Sequence, residues 1–170
     1  MKRKGTVVKG RMILAGLGCW LLLAAAVVAQ DAVPVLPENE VTLQKIKDVL
    51  GTAMIKSEFD EDGDLMVTSD LAVKIFFKLD TEKKLIALFS LWPLKADVAK
   101  EKKLALVNQF NDELIFVRFC MPNETTLWCD YQFSYEGGVS AFTIVNNYRL
   151  FLRVVTGAVL LKDPDDIIGN

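Results

Sequence analysis

Leu127-Trp128-Cys129-Asp130-Tyr131-Gln132-Phe133-Ser134-Tyr135 is the stretch on which the fold turns, and it is closed by Glu136-Gly137-Gly138. Cys129, Tyr131, Phe133 and Tyr135 alternate with Asp130, Gln132, Ser134 and Glu136. A period of two, rich in aromatics, is that of a strand with one buried and one wet face. Trp128 breaks the pattern: it shares its parity with the polar residues and puts an aromatic on the face expected to be wet. The paired glycines end the strand. From Ser140 to Leu161 the period changes, with Ala141, Ile144, Val145, Tyr148, Phe151, Leu152, Val155 and Val159 recurring every three or four residues, which predicts a long helix.

Upstream, Leu114 to Met121 reads as the partner strand, joined to Leu127–Tyr135 through Pro122-Asn123-Glu124-Thr125-Thr126. Ala96 to Phe110 is an amphipathic helix with its charges outward. Strand character recurs at Ile55–Phe59, Leu65–Val67, Leu71–Leu79 and Leu85–Leu91, with polar turns at Asp60–Asp64 and Asp80–Lys84. Thr42 can cap a first helix whose Leu43, Ile46, Val49, Leu50 and Met54 share a face. The order is α-β-β-β-α-β-β-α. It predicts an α+β domain, an antiparallel sheet with helices packed on one side.

The N-terminal segment bears on location. Lys2, Arg3, Lys4, Lys9 and Arg11 precede an apolar run from Met12 to Ala29. Val27 and Ala29 are small residues placed for cleavage after Ala29. This is the pattern of a secretory signal peptide, and eighteen apolar residues also suffice for a retained membrane anchor. Cys19 adds lipid modification as a third route. Residues 1–29 are therefore expected to be a signal peptide or anchor, 30–39 a linker, 40–161 the domain, and 162–170 an acidic, frayed tail. The expected location is the periplasm or the medium, or a membrane-anchored domain facing the periplasm. Membrane contact is then through the N-terminal segment only.

Beyond Ala29 the chain carries fifteen basic against twenty-two acidic side chains, a formal charge of −7. That sign disfavours nucleic acid and anionic lipid as partners. There is no histidine, which excludes Ser-His-Asp and Cys-His catalysis and imidazole zinc sites. No phosphate-binding loop or carboxylate pair is placed by motif, so no catalytic residue, cofactor or enzyme activity is expected.

Two constellations remain. Asp60, Asp62 and Asp64, with Gly63, resemble part of a calcium loop. Ser69 stands where the closing bidentate Glu belongs, so the stretch is a weak metal candidate and reads first as a hairpin turn. Cys120 and Cys129 flank the Pro122–Thr126 turn. A register that sets them opposite each other permits a disulfide, whereas a shift by one or two residues leaves two free thiols.

Phe59-Asp60-Glu61-Asp62-Gly63-Asp64-Leu65, the aromatic strand Ile75-Phe76-Phe77, and Tyr135-Glu136-Gly137-Gly138-Val139-Ser140 before a long helix together resemble the YbjN domain family. That family is described as bacterial sensory transduction regulators and has a fold similar to class I type III secretion chaperones. The resemblance spans about Thr42 to Val159 and brings no catalytic residues. It implies a noncatalytic protein-binding or chaperone-like module, a homodimer, and an extended peptide or partner protein as ligand. The sheet and last helix would supply the interface, with Trp128, Tyr148 and Phe151 as candidate residues. A small-ligand or metal-sensing domain is the alternative.

Overall fold

The computed structural model describes residues 34–169, so the expectations for residues 1–29, Cys19 included, lie outside the described residues. Strand β1 (Val35–Leu36) leads through a 3₁₀ turn to helix α1 (Leu43–Thr52). Strands β2 (Glu58–Phe59), β3 (Leu65–Thr68), β4 (Lys74–Asp80) and β5 (Leu85–Pro93) follow. Next come α2 (Lys100–Glu113), β6 (Arg118–Asn123), β7 (Thr126–Ser134), β8 (Val139–Ser140) and α3 (Ala141–Leu161). Strands β2 to β7 form one antiparallel sheet in the order β2-β3-β4-β5-β7-β6, while β1 and β8 pair separately. The expected α+β class holds and the order holds roughly: four strands instead of three separate α1 from α2, and the short β1 and β8 are additional.

Parity assigns the faces. Leu65, Ile75, Phe77, Ile86, Leu88, Cys129 and Phe119 point inward and are buried. The helices cover this inner face. Tyr148 of α3 stacks on Phe77 at 6.1 Å, Phe110 of α2 meets Phe119 at 5.1 Å, and α1 packs on α3, its Ile46 and Leu50 fully buried. Burying such side chains is worth about 1.5–3 kcal/mol each, so the helices hold to this face and leave the other bare.

Local signals set the ends. Thr42 Oγ1 accepts the Lys45 N–H at 3.1 Å, and Ser140 Oγ accepts the Thr143 N–H at 3.0 Å; each cap satisfies a donor that the first helical turn leaves open. Gly138, at φ +107°, lies where an added Cβ would sit 2.9 Å from the Leu36 carbonyl oxygen. It lets β1 and β8 meet.

Several expectations are corrected. Met54 is 94% exposed, because α1 ends at Thr52 and the chain turns left-handed there (φ +61°). Helix α2 starts at Lys100 instead of Ala96. Residues 94 and 95 are held extended by the C-terminal segment: Lys95 N–H donates to the Ile167 carbonyl at 3.0 Å, and Gly169 N–H to that of Pro93 at 2.8 Å. Residues 163–169 therefore do not fray. Ile167 and Ile168 are buried, and Asp163 accepts both of their N–H groups. The segment read as a linker is also tied down from Val35 onward, with Glu38 accepting the Gly137 N–H at 3.0 Å and pairing with Lys84.

Candidate functional site

The uncovered face of the sheet carries one continuous cross-strand row: Glu58, Met66, Phe76, Phe89, Asp130 and Arg118. Leu91, Trp128 and Cys120 form the row beside it. Phe76 and Phe89 stack at 5.0 Å and 16°, and Phe89 and Trp128 at 4.8 Å and 4°. The three rings form one stack, with Phe89 between Phe76 and Trp128, so that Phe76 and Trp128 each keep one face outside it.

Asp130 anchors one end of this stack. Its carboxylate accepts Arg118 Nε–H at 2.9 Å, a second guanidinium N–H of Arg118, and Trp128 Nε1–H at 2.8 Å. The fork-shaped pair fixes both side chains, and the carboxylate beside it raises the Arg118 guanidinium above its already high ordinary pKa. This anchor explains the parity of Trp128: the indole lies along the sheet with its N–H satisfied.

At the edge of the same face, β6 diverges. The strand expected from Leu114 begins only at Arg118, and Ile115 is fully exposed. Asn111 accounts for the local geometry, donating Nδ2–H to the Phe119 carbonyl at 2.8 Å and accepting the Phe119 N–H at 2.9 Å. It thereby blocks the outer edge of β6, a common protection against stray pairing. Residues 114–117 swing away from β7, pinned by Phe116 stacking on Tyr131 at 3.8 Å. A cleft of about 450 Å³ opens between them, lined by residues that include Ile115, Phe116, Arg118, Tyr131 and Gln132.

The free edge of β7 faces that cleft. Tyr135 N–H bonds to the Lys84 carbonyl and Leu94 N–H to that of Thr125, which fixes the odd-numbered residues of β7 as those bonded to β5. In an antiparallel ladder the alternate residues then direct their N–H and C=O groups to the other side. β6 covers these at Thr126, Trp128 and Asp130. Gln132 and Ser134 lie beyond it, with no backbone partner on that side among the described residues.

The residues singled out from the sequence fall differently. Trp128 is half-buried on the bare face as its parity implied. Tyr148 and Phe151 are not available as interface: they are 5% and 0% exposed, pressed by α3 onto the sheet, because the apolar stripe of that helix is used internally. Asp60, Asp62 and Asp64 do not converge on a cation. Asp60 Oδ1 accepts the N–H groups of Asp62 and Asp64 at 3.1 and 2.8 Å, and Asp64 lies 3.8 Å from Lys78. The turn's own backbone uses the carboxylate that would lead a metal shell.

Cys120 and Cys129 are free. The β6–β7 turn pairs Asn123 with Thr126, a register that, extended, would set Cys120 opposite Cys129. An irregularity between Cys120 and Asn123, at Met121 and Pro122, shifts it by one, so Cys120 faces Trp128 and Cys129 faces Phe119. Pro122 has no N–H for the ladder, and such bulges suit an edge strand. A one-residue slip puts the two thiols on opposite faces of the sheet, where no bond can join them. Burial raises the thiol pKa of Cys120 and raises that of Cys129 far more.

Sequence reasoning missed Phe76, Phe89, Arg118, Asp130 and Gln132. The available signal was parity: Phe76 and Phe89 alternate with buried neighbours exactly as Trp128 does with Cys129.

A search of curated proteins finds no match. Among solved structures, E. coli YbjN, described as a "putative transcription regulator", has a TM-score of 0.64 at 13% identity, covering 76% of this chain and 97% of that one. The ExsC–ExsE complex follows at 0.51 and 17%, covering 70% and 95%. The Yersinia pestis type III secretion chaperone SycH, solved with a fragment of YscM2, gives 0.46 and 13%, covering 67% and 97%. At these identities the likeness to YbjN and to the ExsC–ExsE complex is one of fold, and it is the fold the resemblance implied. Residues 42–158 match the YbjN family, whose description is "Putative bacterial sensory transduction regulator". The chain belongs to the YbjN family.

Proposed function

We propose that this chain is a noncatalytic, exported protein-binding module of a sensory or regulatory system, and that it takes an extended segment of a partner protein along the free edge of β7. The observation that carries this reading is the unpaired edge of β7 at Gln132 and Ser134, of which Gln132 lines the cleft of about 450 Å³. An added strand gains affinity from main-chain bonds and specificity from alternate side chains. Ile115 and Phe116 offer apolar contact there, and Arg118 closes one end.

Two further facts support it. ExsC, which shares the fold, was solved in complex with ExsE. The basic head and apolar run at the N-terminus match an export signal, which supports a location in the periplasm or medium, or on the outer side of the membrane if the segment is retained. The small-ligand or metal-sensing alternative gains no specific support: the clefts among the described residues are open, and the acidic turn binds its own backbone.

The test is a photoreactive amino acid placed at Ile115 of the full-length chain expressed in its native cell, with Asn108 on α2 as the control site. The reading expects a reproducible adduct from Ile115, from the membrane or periplasmic fraction, that is lost in a Gln132→Pro chain. Adducts equal at both sites, or a chain found in the cytosol with Met1 in place, would overturn it.

A further inference from the structure

We propose that the outer side of helix α3 docks on a bilayer surface containing anionic phospholipid, so that membrane contact is not confined to the N-terminal segment. The inference rests on the export reading above, in the form where the apolar run of residues 12–29 is retained as an anchor. It begins with the pattern of exposure along α3. Ile144, Tyr148, Phe151, Val155 and Ala158 are buried against the rest of the domain. Phe142, Asn146, Arg149, Arg153 and Leu160 are exposed and form a stripe on the opposite side. At 1.5 Å per residue that stripe is about 27 Å long. The helix is long and apolar enough in composition to cross a bilayer. Its buried stripe is committed to the core, so only lateral contact is open to it.

Charge says what lies against this side. The chain beyond Ala29 is acidic as a whole, and that total hides an asymmetry. Helix α3 has no acidic residue, and α1, packed beside it, has one, Asp48. Against that single anion the two helices carry Lys45, Lys47, Arg149 and Arg153. The rest of the chain beyond Ala29 then holds eleven basic and twenty-one acidic side chains. An anionic surface attracts the helical side and repels the remainder, which orients the domain as well as holding it. Neither arginine of α3 forms a salt bridge among the described residues. Their aliphatic stems suit an apolar boundary with the guanidinium groups at phosphate level. Phe142, 70% exposed, and the exposed Leu160 and Leu161 supply that apolar contact at the two ends.

An acidic protein surface would satisfy the arginines equally well, but the path of the chain favours lipid. Val35 pairs with Ser140, the residue that caps α3. The chain therefore enters the domain beside the first turn of that helix, where Val35 and Phe142 are both exposed. Five residues, 30–34, separate Ala29 from Val35, and fully extended they reach only about 20 Å. An anchor ending at Ala29 ties this end of α3 within that distance of the headgroups. The high effective concentration lets a weak contact persist.

The test uses the full-length chain in vesicles of mixed phosphatidylcholine and phosphatidylglycerol, with a photoreactive amino acid at Asn146. The control carries it at Leu91, on the bare face of the sheet. Asn146 should give phospholipid adducts and Leu91 few. Arg149→Glu with Arg153→Glu should cut the Asn146 adduct more than tenfold, at about fivefold for each charge lost. Vesicles of phosphatidylcholine alone should lower it similarly, whereas Arg149→Lys with Arg153→Lys should keep it. Equal lipid adducts at both sites, indifference to the charge reversal or to the lipid, or loss in the lysine pair would overturn the proposal. In the native cell Asn146 should again yield lipid adducts; adducts to a protein in their place, a second copy of this chain included, would also overturn it. Lipid adducts in vesicles together with a chain found soluble in the cytosol would count against the export reading alone and uphold the surface.

Discussion

Replacing Asp130 by alanine removes the acceptor that holds the bare face in order. The carboxylate takes three donors, two from Arg118 and one from the Trp128 indole. Bonds to a charged group are worth about 1.5–3 kcal/mol each where they are buried. The guanidinium is 67% exposed and regains water when released, so its share must be discounted toward the ~0–1 kcal/mol of surface pairs. Trp128 is half-buried and can also rehydrate in part. The expected loss is about 2 kcal/mol, read in urea at pH 7 and low protein concentration as a fall in midpoint of roughly 1 M. Arg118→Ala should cost a similar amount, because it leaves a largely buried carboxylate with one donor. The double variant should lose about 1 kcal/mol less than the two together. A loss below about 0.5 kcal/mol for Asp130→Ala, or strict additivity, would refute the claim that this pair organises the aromatic row.

Four further outcomes follow from the geometry. Ser140→Ala removes the cap of α3 and should cost about 1 kcal/mol, seen as a lowered thermal midpoint; an unchanged midpoint would contradict the capping role. Gly138→Ala forces a side chain into positive φ and into the Leu36 carbonyl, at a cost above about 1 kcal/mol. Rapid proteolysis before Val41 should report the lost β1–β8 pairing. In a Cys19→Ser chain, Cys120 should react with a thiol reagent in the folded state and Cys129 only on unfolding, since burial holds the Cys129 thiol neutral; simultaneous reaction would deny the slipped register. Glu38 is held below the ordinary glutamate pKa by the Gly137 N–H first and then by Lys84. Its contribution is therefore complete above about pH 4.3 and is lost as pH falls through the folded value, so Glu38→Gln should narrow the drop in urea midpoint between neutral pH and about pH 3.

The strand Leu127–Tyr135 and the helix after Ser140 were legible because their periods of two and of three to four are unmixed. The family resemblance read from Phe59–Leu65, Ile75–Phe77 and Tyr135–Ser140 was sound for the same reason: turns and caps are local chemistry. What escaped was set by contacts distant in sequence. Ile167 and Ile168 look like a tail until residues 93–95 are seen to pair with them, and that pairing also delays the start of α2. Tyr148 and Phe151 looked like interface because α3 is apolar over a broad arc, but periodicity cannot say whether a sheet or a partner covers it. The register of β6 depends on a one-residue irregularity beside Pro122, and with it goes the fate of both cysteines. The bare-face row is invisible in any single strand, since it exists only after six strands are aligned. Its sequence traces were the parities of Phe76 and Phe89, and that of Trp128 in the row beside it.

Hydrogen exchange at the amides of Gln132 and Ser134, with and without the captured partner, measures the central claim most directly. In the free chain both amides should exchange quickly while Cys129 and Tyr131 stay protected by β5, and partner binding should slow Gln132 and Ser134 selectively. Binding that leaves these two amides unchanged and instead protects the exposed side of α3 would contradict the account.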